Sequence, residues 1–174
     1  MTASQELLLL GLLKRGPKHG YEIKRIIKEE LYNFTSLETE SIYYSLEVLA
    51  KRGFLTKRVT RSGRRPEKYV YKLAPKGQER FDALLNKSFT TLQRPYFNID
   101  LTLYFLPFIK PEVFRRRLRG RLSLLRRLER LLSKFKASIN PQESFHLLAI
   151  VEHNLEFLST EIRFFSQLLD KLPS

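Results

Sequence analysis

The sequence predicts a mainly α-helical protein that contains one small β-hairpin and is divided into two domains. Apolar residues recur at helical spacing through most of the 174 residues, a pattern typical of amphipathic helices. Two short alternating segments surround a glycine-containing turn, which indicates a hairpin. The last helix carries an unbroken apolar heptad. We therefore expect a compact domain at residues 1–80 and a domain of long helices at residues 81–174.

The composition limits the classes of function. A formal net charge of +14 is compatible with solubility alone, but it also favours a polyanionic partner such as nucleic acid. The absence of cysteine excludes disulfides and thiolate catalysis, and it fits the cytoplasm, where we expect the protein to reside. The apolar run Leu7–Leu13 predicts a core helix and not a signal peptide, and no stretch reaches the roughly 18 apolar residues of a membrane span.

Two helices are predicted at Gln5–Lys14 and Gly20–Glu30. Gly16 and Pro17 separate them, because proline cannot continue the helical hydrogen-bond pattern. In the second helix, the residues expected to be buried are Tyr21, Ile23, Ile26 and Ile27.

A third helix is predicted from about Thr39 to Arg52, with Gly53 ending it as a C-cap. The residues that should face the core are Ile42, Leu46, Leu49 and Ala50. The opposite face should present short, polar and aromatic side chains that suit a groove, namely Glu40, Ser41, Tyr44, Ser45, Val48 and Lys51.

The segments Phe54–Val59 and Lys68–Leu73 alternate in character and predict the two strands of the hairpin. Three short helices followed by a hairpin predict a winged helix-turn-helix domain. From Lys51 to Lys68, eight basic residues occur against the single acid Glu67. Such a hairpin can pair with phosphates or place arginine in a narrow minor groove, although a solvated basic loop is the alternative.

Four stretches of sequence follow one another along the chain. The first two are Leu8–Leu13 and His19–Ile23. The third is Ser41–Leu46 together with Leu49 and Gly53–Leu55, and the fourth is Gly63–Leu73 together with Lys76 and Gly77. Together they resemble the PadR family of bacterial and archaeal winged-helix regulators. The chain departs from the family pattern at Tyr44, where proline is frequent, and at Ala74, where threonine is usual and can cap the following helix. The resemblance implies a homodimeric repressor or regulator, of a kind commonly released from DNA when a small molecule or stress signal reaches the body of the dimer.

We therefore expect double-stranded DNA as the partner. The recognition helices would enter adjacent major grooves and the wings would touch the flanking minor groove, as the resemblance implies. The residues expected to bind DNA are Glu40, Ser41, Tyr44, Ser45, Val48, Lys51, Arg52, Lys57, Arg58, Arg61, Arg64, Arg65 and Lys68.

The second half predicts a transition helix near Pro75–Leu92, a long helix from Pro111 to about Lys136, and a final helix with an apolar seam. The seam consists of Leu148, Val151, Leu155, Leu158, Ile162, Phe165, Leu169 and Leu172. A single helix cannot bury such a seam within itself, so the preceding helix, a partner chain or both must cover it. We expect it to form the interface of a homodimer.

Two further features of this half have open interpretations. Phe97, Tyr104, Phe105 and Phe108 could line a pocket for a hydrophobic or aromatic effector, or form ordinary core between the domains. The run of arginines between residues 115 and 130 could be a solvated face, a second polyanion contact or a membrane-surface face.

No catalytic or cofactor motif is recognisable, so we expect no enzyme activity and no cofactor. His146 and His153 lie about 10 Å apart along their helix and cannot hold one metal ion unaided, so no metal site is expected. The alternatives to a regulator are a winged-helix protein–protein adaptor and a basic membrane-surface helical protein without sequence-specific DNA binding.

Overall fold

The computed structural model describes residues 1–29, 31, 41–60, 68–91 and 97–172. The chain divides into two compact units, Met1–Arg94 and Pro95–Ser174. The boundary expected after residue 80 falls inside a helix, so the helix that follows the hairpin belongs to the first unit.

The N-terminal unit contains helices α1 to α4 and a small sheet. Its helices are α1 (Ala3–Lys14), α2 (Gly20–Glu29), α3 (Ile42–Lys51) and α4 (Pro75–Thr90). Its strands are β1 (Lys18–His19), β2 (Leu55–Thr60) and β3 (Lys68–Leu73), arranged antiparallel in the order β1-β3-β2. The predicted fold class, mainly helical with a small β element, is confirmed, and β1 is an additional strand that the sequence did not predict.

The core of this unit forms where the apolar faces of α1, α2 and α3 meet. Leu10, Ile23, Leu46 and Leu49 are fully buried there. Tyr21, by contrast, is 49% exposed, and its ring stacks on His19 with centroids 5.3 Å apart. The prediction that Tyr21 is buried is wrong, because two residues of helix are a rotation of about 200°, which turns Tyr21 away from Ile23.

Helix α4 begins without a side-chain cap at Ala74, as its sequence predicts, and Pro75 occupies its first turn. Gly77 allows this turn to lie directly against the hairpin, since a Cβ at that position would overlap the carbonyl oxygen of Phe54. Ala74 also donates its backbone N–H to the Phe54 carbonyl oxygen at 3.0 Å. These contacts join the start of α4 to the base of the hairpin.

An ion pair in which only the carboxylate is buried connects α1 to α4. Arg80 donates from Nε and Nη2 to the two carboxylate oxygens of Glu6, each at 2.9 Å, and the Glu6 side chain is buried. The hydrogen bonds from Arg80 hold the pKa of Glu6 below its ordinary value of 4.5, although burial opposes the shift. The pair therefore stabilises the packing of α1 on α4 when Glu6 is ionised.

Replacing Glu6 with glutamine should lower the free energy of unfolding by about 1–3 kcal/mol near neutral pH, because one oxygen that accepts from Arg80 is lost. Since the pKa of Glu6 is lowered by folding, its stabilisation is complete above the ordinary value of 4.5 and is lost as the pH falls through the lowered value. Denaturant unfolding over a pH series should therefore show the wild-type advantage shrinking in acid. The exposed Glu29→Gln serves as the control, and a gap independent of pH would contradict the assignment.

The C-terminal unit is helical. It contains α5 (Asn98–Tyr104), a 3-10 turn at Leu106–Phe108, α6 (Pro111–Ser138) and α7 (Phe145–Lys171). Helices α6 and α7 lie antiparallel, since the start of α6 contacts the end of α7 and the end of α6 contacts the start of α7. Arg115 donates to the carbonyl oxygen of Leu172 at 3.2 Å, and Lys136 pairs with Glu152 at 2.9 Å.

Part of the apolar seam of α7 is buried within the chain. Val151, Leu158 and Phe165 are buried, and Phe165 packs with Phe114 and Leu118 of α6 in the core of this unit. These three residues are therefore not available to a partner chain. The expectation that they form the dimer interface is wrong. The connection at residues 139–144 is short, so α7 folds back against α6. Helix α6 therefore packs on the seam within the same chain.

Candidate DNA-binding surface

The outer face of α3 presents a tyrosine beside basic residues. Tyr44 is 71% exposed and Lys51 and Arg52 are exposed, while Ser41 and Val48 are partly exposed. The opposite face of the helix is fixed in the core by Ile42, Leu46 and Leu49, so the orientation of this outer face is set by packing. Glu40 lies outside the described residues.

Ser45 does not belong to this face. Its exposure is 4%, although it was expected to contact DNA. Ser45 lies three residues after Ile42 and four before Leu49, a spacing that places all three on the same side of a helix. The expectation for Ser45 is therefore wrong, since its position on the helical circumference is next to the core.

A network that the sequence analysis missed joins α3 to the sheet. Glu47 accepts a hydrogen bond from Lys57 Nζ at 2.5 Å and another from the Tyr71 hydroxyl at 2.7 Å. The Lys57 ammonium also lies 3.7 Å from the centroid of the Tyr69 ring. Glu47 is the only acid between residues 41 and 60, a signal in the sequence that could have indicated a specific partner.

The titration properties of this network follow from its contacts. Hydrogen bonds from Lys57 and Tyr71 lower the pKa of Glu47, while burial and the hydrogen bond to Glu47 raise the pKa of Tyr71. Glu47 is thus a carboxylate whose charge is compensated by Lys57. The Lys57 ammonium, expected to contact DNA, is engaged within the protein, so its first role is to hold β2 against α3.

The wing of the domain is built from β2 and β3, which pair along their whole length from Leu55 with Leu73 to Thr60 with Lys68. Arg58 is exposed on β2. Arg61, Arg64 and Arg65 were also expected to bind DNA, and they lie outside the described residues, as does the side chain of Lys68.

The second expected site, the aromatic segment, is found on the surface of the C-terminal unit. Tyr104, Phe105 and Phe108 are exposed, and adjacent rings are separated by 5.0 and 6.4 Å between centroids. Phe97 is partly buried and stacks on Phe157 at 5.5 Å. Tyr104, Phe105 and Phe108 are not part of the core of the C-terminal unit.

Metal binding and membrane spanning have little support in the part of the chain that the structure describes. There, no group of three or more histidine or carboxylate side chains could hold a metal ion. Among the same residues, no helix is both long and apolar enough to cross a membrane.

Comparison with known proteins identifies the transcriptional regulator PadR-like family, which matches residues 9–83. The negative transcriptional regulator PadR of Bacillus subtilis (strain 168) is 31% identical over 137 residues, which cover 76% of this chain and 75% of that protein. The crystal structure of Bacillus subtilis PadR in complex with operator DNA has a TM-score of 0.77 at 24% identity, covering 97% of this chain and 98% of that chain.

Two further solved structures have the same fold. Bacillus subtilis PadR in complex with p-coumaric acid has a TM-score of 0.71 at 23% identity and covers 96% of this chain and 94% of that chain. The Vibrio cholerae virulence activator AphA has a TM-score of 0.72 at 16% identity and covers 97% of each chain.

Proposed function

Because the chain belongs to the PadR-like family of transcriptional regulators, we propose that it is a repressor that binds a palindromic operator as a homodimer. The family is one of regulators and not of enzymes, so no reaction is catalysed. The observation that carries the proposal is the outer face of α3, where Tyr44, Lys51 and Arg52 are exposed on a helix whose other side is held in the core. An α-helix of this kind fits the major groove of duplex DNA.

Within this proposal, Tyr44 and Val48 contact base edges while basic residues contact phosphates. Tyrosine can pack against a thymine methyl group and hydrogen-bond through its hydroxyl. Lys51, Arg52 and Arg58 carry exposed positive charge on and beside the same helix and strand. Selection of bound sites from random duplex DNA tests this function, since a palindrome would report both specificity and twofold symmetry. Recovery of no common sequence would contradict it.

Replacing Tyr44 with alanine should change the preference among operator sequences, with a loss of about 1–3 kcal/mol in discrimination at the contacted base pair. Binding to random DNA should change little, because the phosphate contacts remain. Competition between operator variants in a mobility-shift assay measures the effect. Tyr104→Ala is the matched control, since Tyr104 is also highly exposed but lies in the other unit. Identical preferences in both variants would place Tyr44 outside the groove.

A dimer interface is supported by apolar residues that the single chain leaves uncovered. On α6 these are Leu124, Leu128 and Leu131, and on α7 they are Ile150 and Phe164. The spacing within each set keeps it on one side of its helix. Exposed apolar patches of this extent are typical of interaction surfaces.

The two sets lie on the same side of the α6–α7 pair. Two antiparallel helices are related by a twofold rotation about an axis perpendicular to the pair, so residues displaced in the same rotational sense from each buried stripe lie on the same side. Arg121 and Glu161, displaced in that sense, pair across this side at 3.1 Å. We define the combined set as the apolar face, and we propose that a second copy of the chain covers it.

The exposed aromatic cluster of Tyr104, Phe105 and Phe108 supports an effector function. A related regulator, Bacillus subtilis PadR, was solved with p-coumaric acid, a small aromatic acid. We propose that a small aromatic molecule contacts this cluster and reduces operator affinity. Thermal shift against a panel of phenolic and planar compounds tests the proposal, with Phe108→Ala as the matched variant. The absence of any shift across the panel would contradict it.

A further inference from the structure

Helix α6 carries a second exposed face that the apolar face does not include. Five arginines are exposed along it, and we name this set the arginine stripe, consisting of Arg116, Arg119, Arg126, Arg127 and Arg130. From the first to the last, the stripe extends about 21 Å at a rise of about 1.5 Å per residue.

The arginines of the stripe have no acidic partner among the residues that the structure describes. The arginines on the inner side of the same helix are different. Arg121 pairs with Glu161 at 3.1 Å and stacks on Phe165, and Arg115 donates to the carbonyl oxygen of Leu172. The fold thus engages Arg115 and Arg121, whereas the stripe arginines form no ion pair within the part of the chain that the structure describes.

The spacing within the stripe disfavours the isolated helix. Arg126 and Arg130 are four residues apart and Arg127 and Arg130 are three apart, so like charges lie next to each other. Gly120 adds to this cost, because glycine is a weak helix former. A Cβ at Gly120 would meet no atom within 4 Å in the described chain, so packing does not require glycine there. These features are explained if an external anion approaches this side of the helix.

A groove between α6 and α7 adjoins the stripe. It has a volume of about 590 Å³, and Arg119, Arg126 and Arg130 line it. The hydroxyl-bearing residues Ser123 and Ser166 also contribute, and one acid, Asp170, lies at the groove. Three guanidinium groups against one carboxylate leave a net positive groove, while the remaining arginines of the stripe extend the charge beyond it.

We propose that the arginine stripe binds the phosphodiester backbone of duplex DNA outside the bases read by α3. Guanidinium groups are planar and donate two parallel hydrogen bonds to a phosphate, which lysine cannot do. The length of the stripe matches the rise of about six base pairs at about 3.4 Å per phosphate along one strand. An extended row of phosphates can therefore meet successive arginines.

A membrane surface fits this side of α6 less well. An interfacial helix places apolar side chains beside its basic ones, so that they enter the lipid boundary. Gly120 and Ser123 lie between the arginines on this side, and the exposed leucines of the same helix belong to the apolar face, which we propose a second copy of the chain covers. The positive charge of the stripe thus favours a nucleic acid that is bound through its phosphodiester backbone.

The test compares two triple variants of the full chain that lose equal charge. Arg119→Gln with Arg126→Gln and Arg130→Gln removes the groove arginines. The control replaces exposed basic residues elsewhere in the same unit, namely Lys110→Gln, Arg117→Gln and Lys171→Gln. Fluorescence anisotropy with a long random-sequence duplex, titrated over a range of salt, gives the slope of log K against log salt for each protein. Circular dichroism and sedimentation check the fold and the oligomeric state.

Each duplex phosphate contact contributes about 0.9 to the slope, so the stripe variant should lose up to about 2.7 per protomer while the control keeps the wild-type slope. Equal slopes in the two variants would overturn the inference. It would also be overturned if the stripe variant lost binding to phosphatidylserine-containing vesicles with an unchanged DNA slope. Site selection with the stripe variant separates this result from the proposed function, because operator preference depends on α3. An unchanged slope with an intact preference rejects only the stripe contact.

Discussion

The double variant Arg64→Ala with Arg65→Ala should bind every DNA sequence more weakly than the wild type, by roughly a hundredfold at moderate salt. Both arginines lie in the sequence between β2 and β3, outside the described residues. If each contacts one phosphate, a dimer loses four contacts, and the slope of log K against log salt should fall by about 3.6. Mobility shift over a salt series, with operator and random duplexes, measures both quantities.

The control for this variant removes the same charge from the other unit through Lys110→Ala and Lys171→Ala. It separates loss of a local contact from loss of net charge, since a protein of charge +14 attracts DNA at long range in any case. If the wing variant kept the wild-type salt slope, the assignment of the wing to DNA would be wrong.

The double variant Leu124→Glu with Phe164→Glu should be monomeric at micromolar concentration and should lose most operator affinity. The two side chains are 68% and 46% exposed in the single chain and lie in the apolar face. Covering this face with a second copy would bury the new carboxylates without partners, which costs several kcal/mol per dimer. Because a palindrome is bound by two linked protomers, monomers should bind it far more weakly.

Sedimentation equilibrium measures the oligomeric state of this variant. The control is Phe108→Glu, which places a carboxylate on an 86% exposed phenylalanine outside the apolar face. A variant that remained dimeric would show that the apolar face is not the interface, and the partly exposed edge of the α7 seam would then be the remaining candidate.

The helices and the two strands of the wing were predictable because their signals are local. Apolar spacing, Pro17, Gly53 and Pro111 mark the elements within a few residues of each boundary. Four ordered stretches also predicted the family, which the comparisons confirm. The length of α6, from Pro111 to Ser138, agrees closely with the expected helix.

The features that were missed depend on contacts distant in sequence. Strand β1 has two residues and exists because Lys18 and His19 pair with Tyr71 and Val70. The engagement of Lys57 needs a glutamate ten residues earlier and a helix–strand contact that no periodicity reveals. The burial of Phe165 was ambiguous for a related reason, because a heptad seam fits an intrachain helix as well as a partner chain. The error at Ser45 was different, since its helical spacing from Ile42 was already visible in the sequence.

Among the described strands, the order β1-β3-β2 leaves one edge of β2 unpaired, and such an edge can recruit a strand from another molecule and begin aggregation. Here the edge strand carries Lys57 and Arg58 at consecutive positions. Lys57 is paired with Glu47, so the repulsion between two molecules that aligned these edges would come from Arg58, and it would oppose intermolecular sheet growth. The charge of Arg58, which is also proposed to contact DNA, thus opposes pairing between the edges of two wings, and self-association is directed away from the sheet.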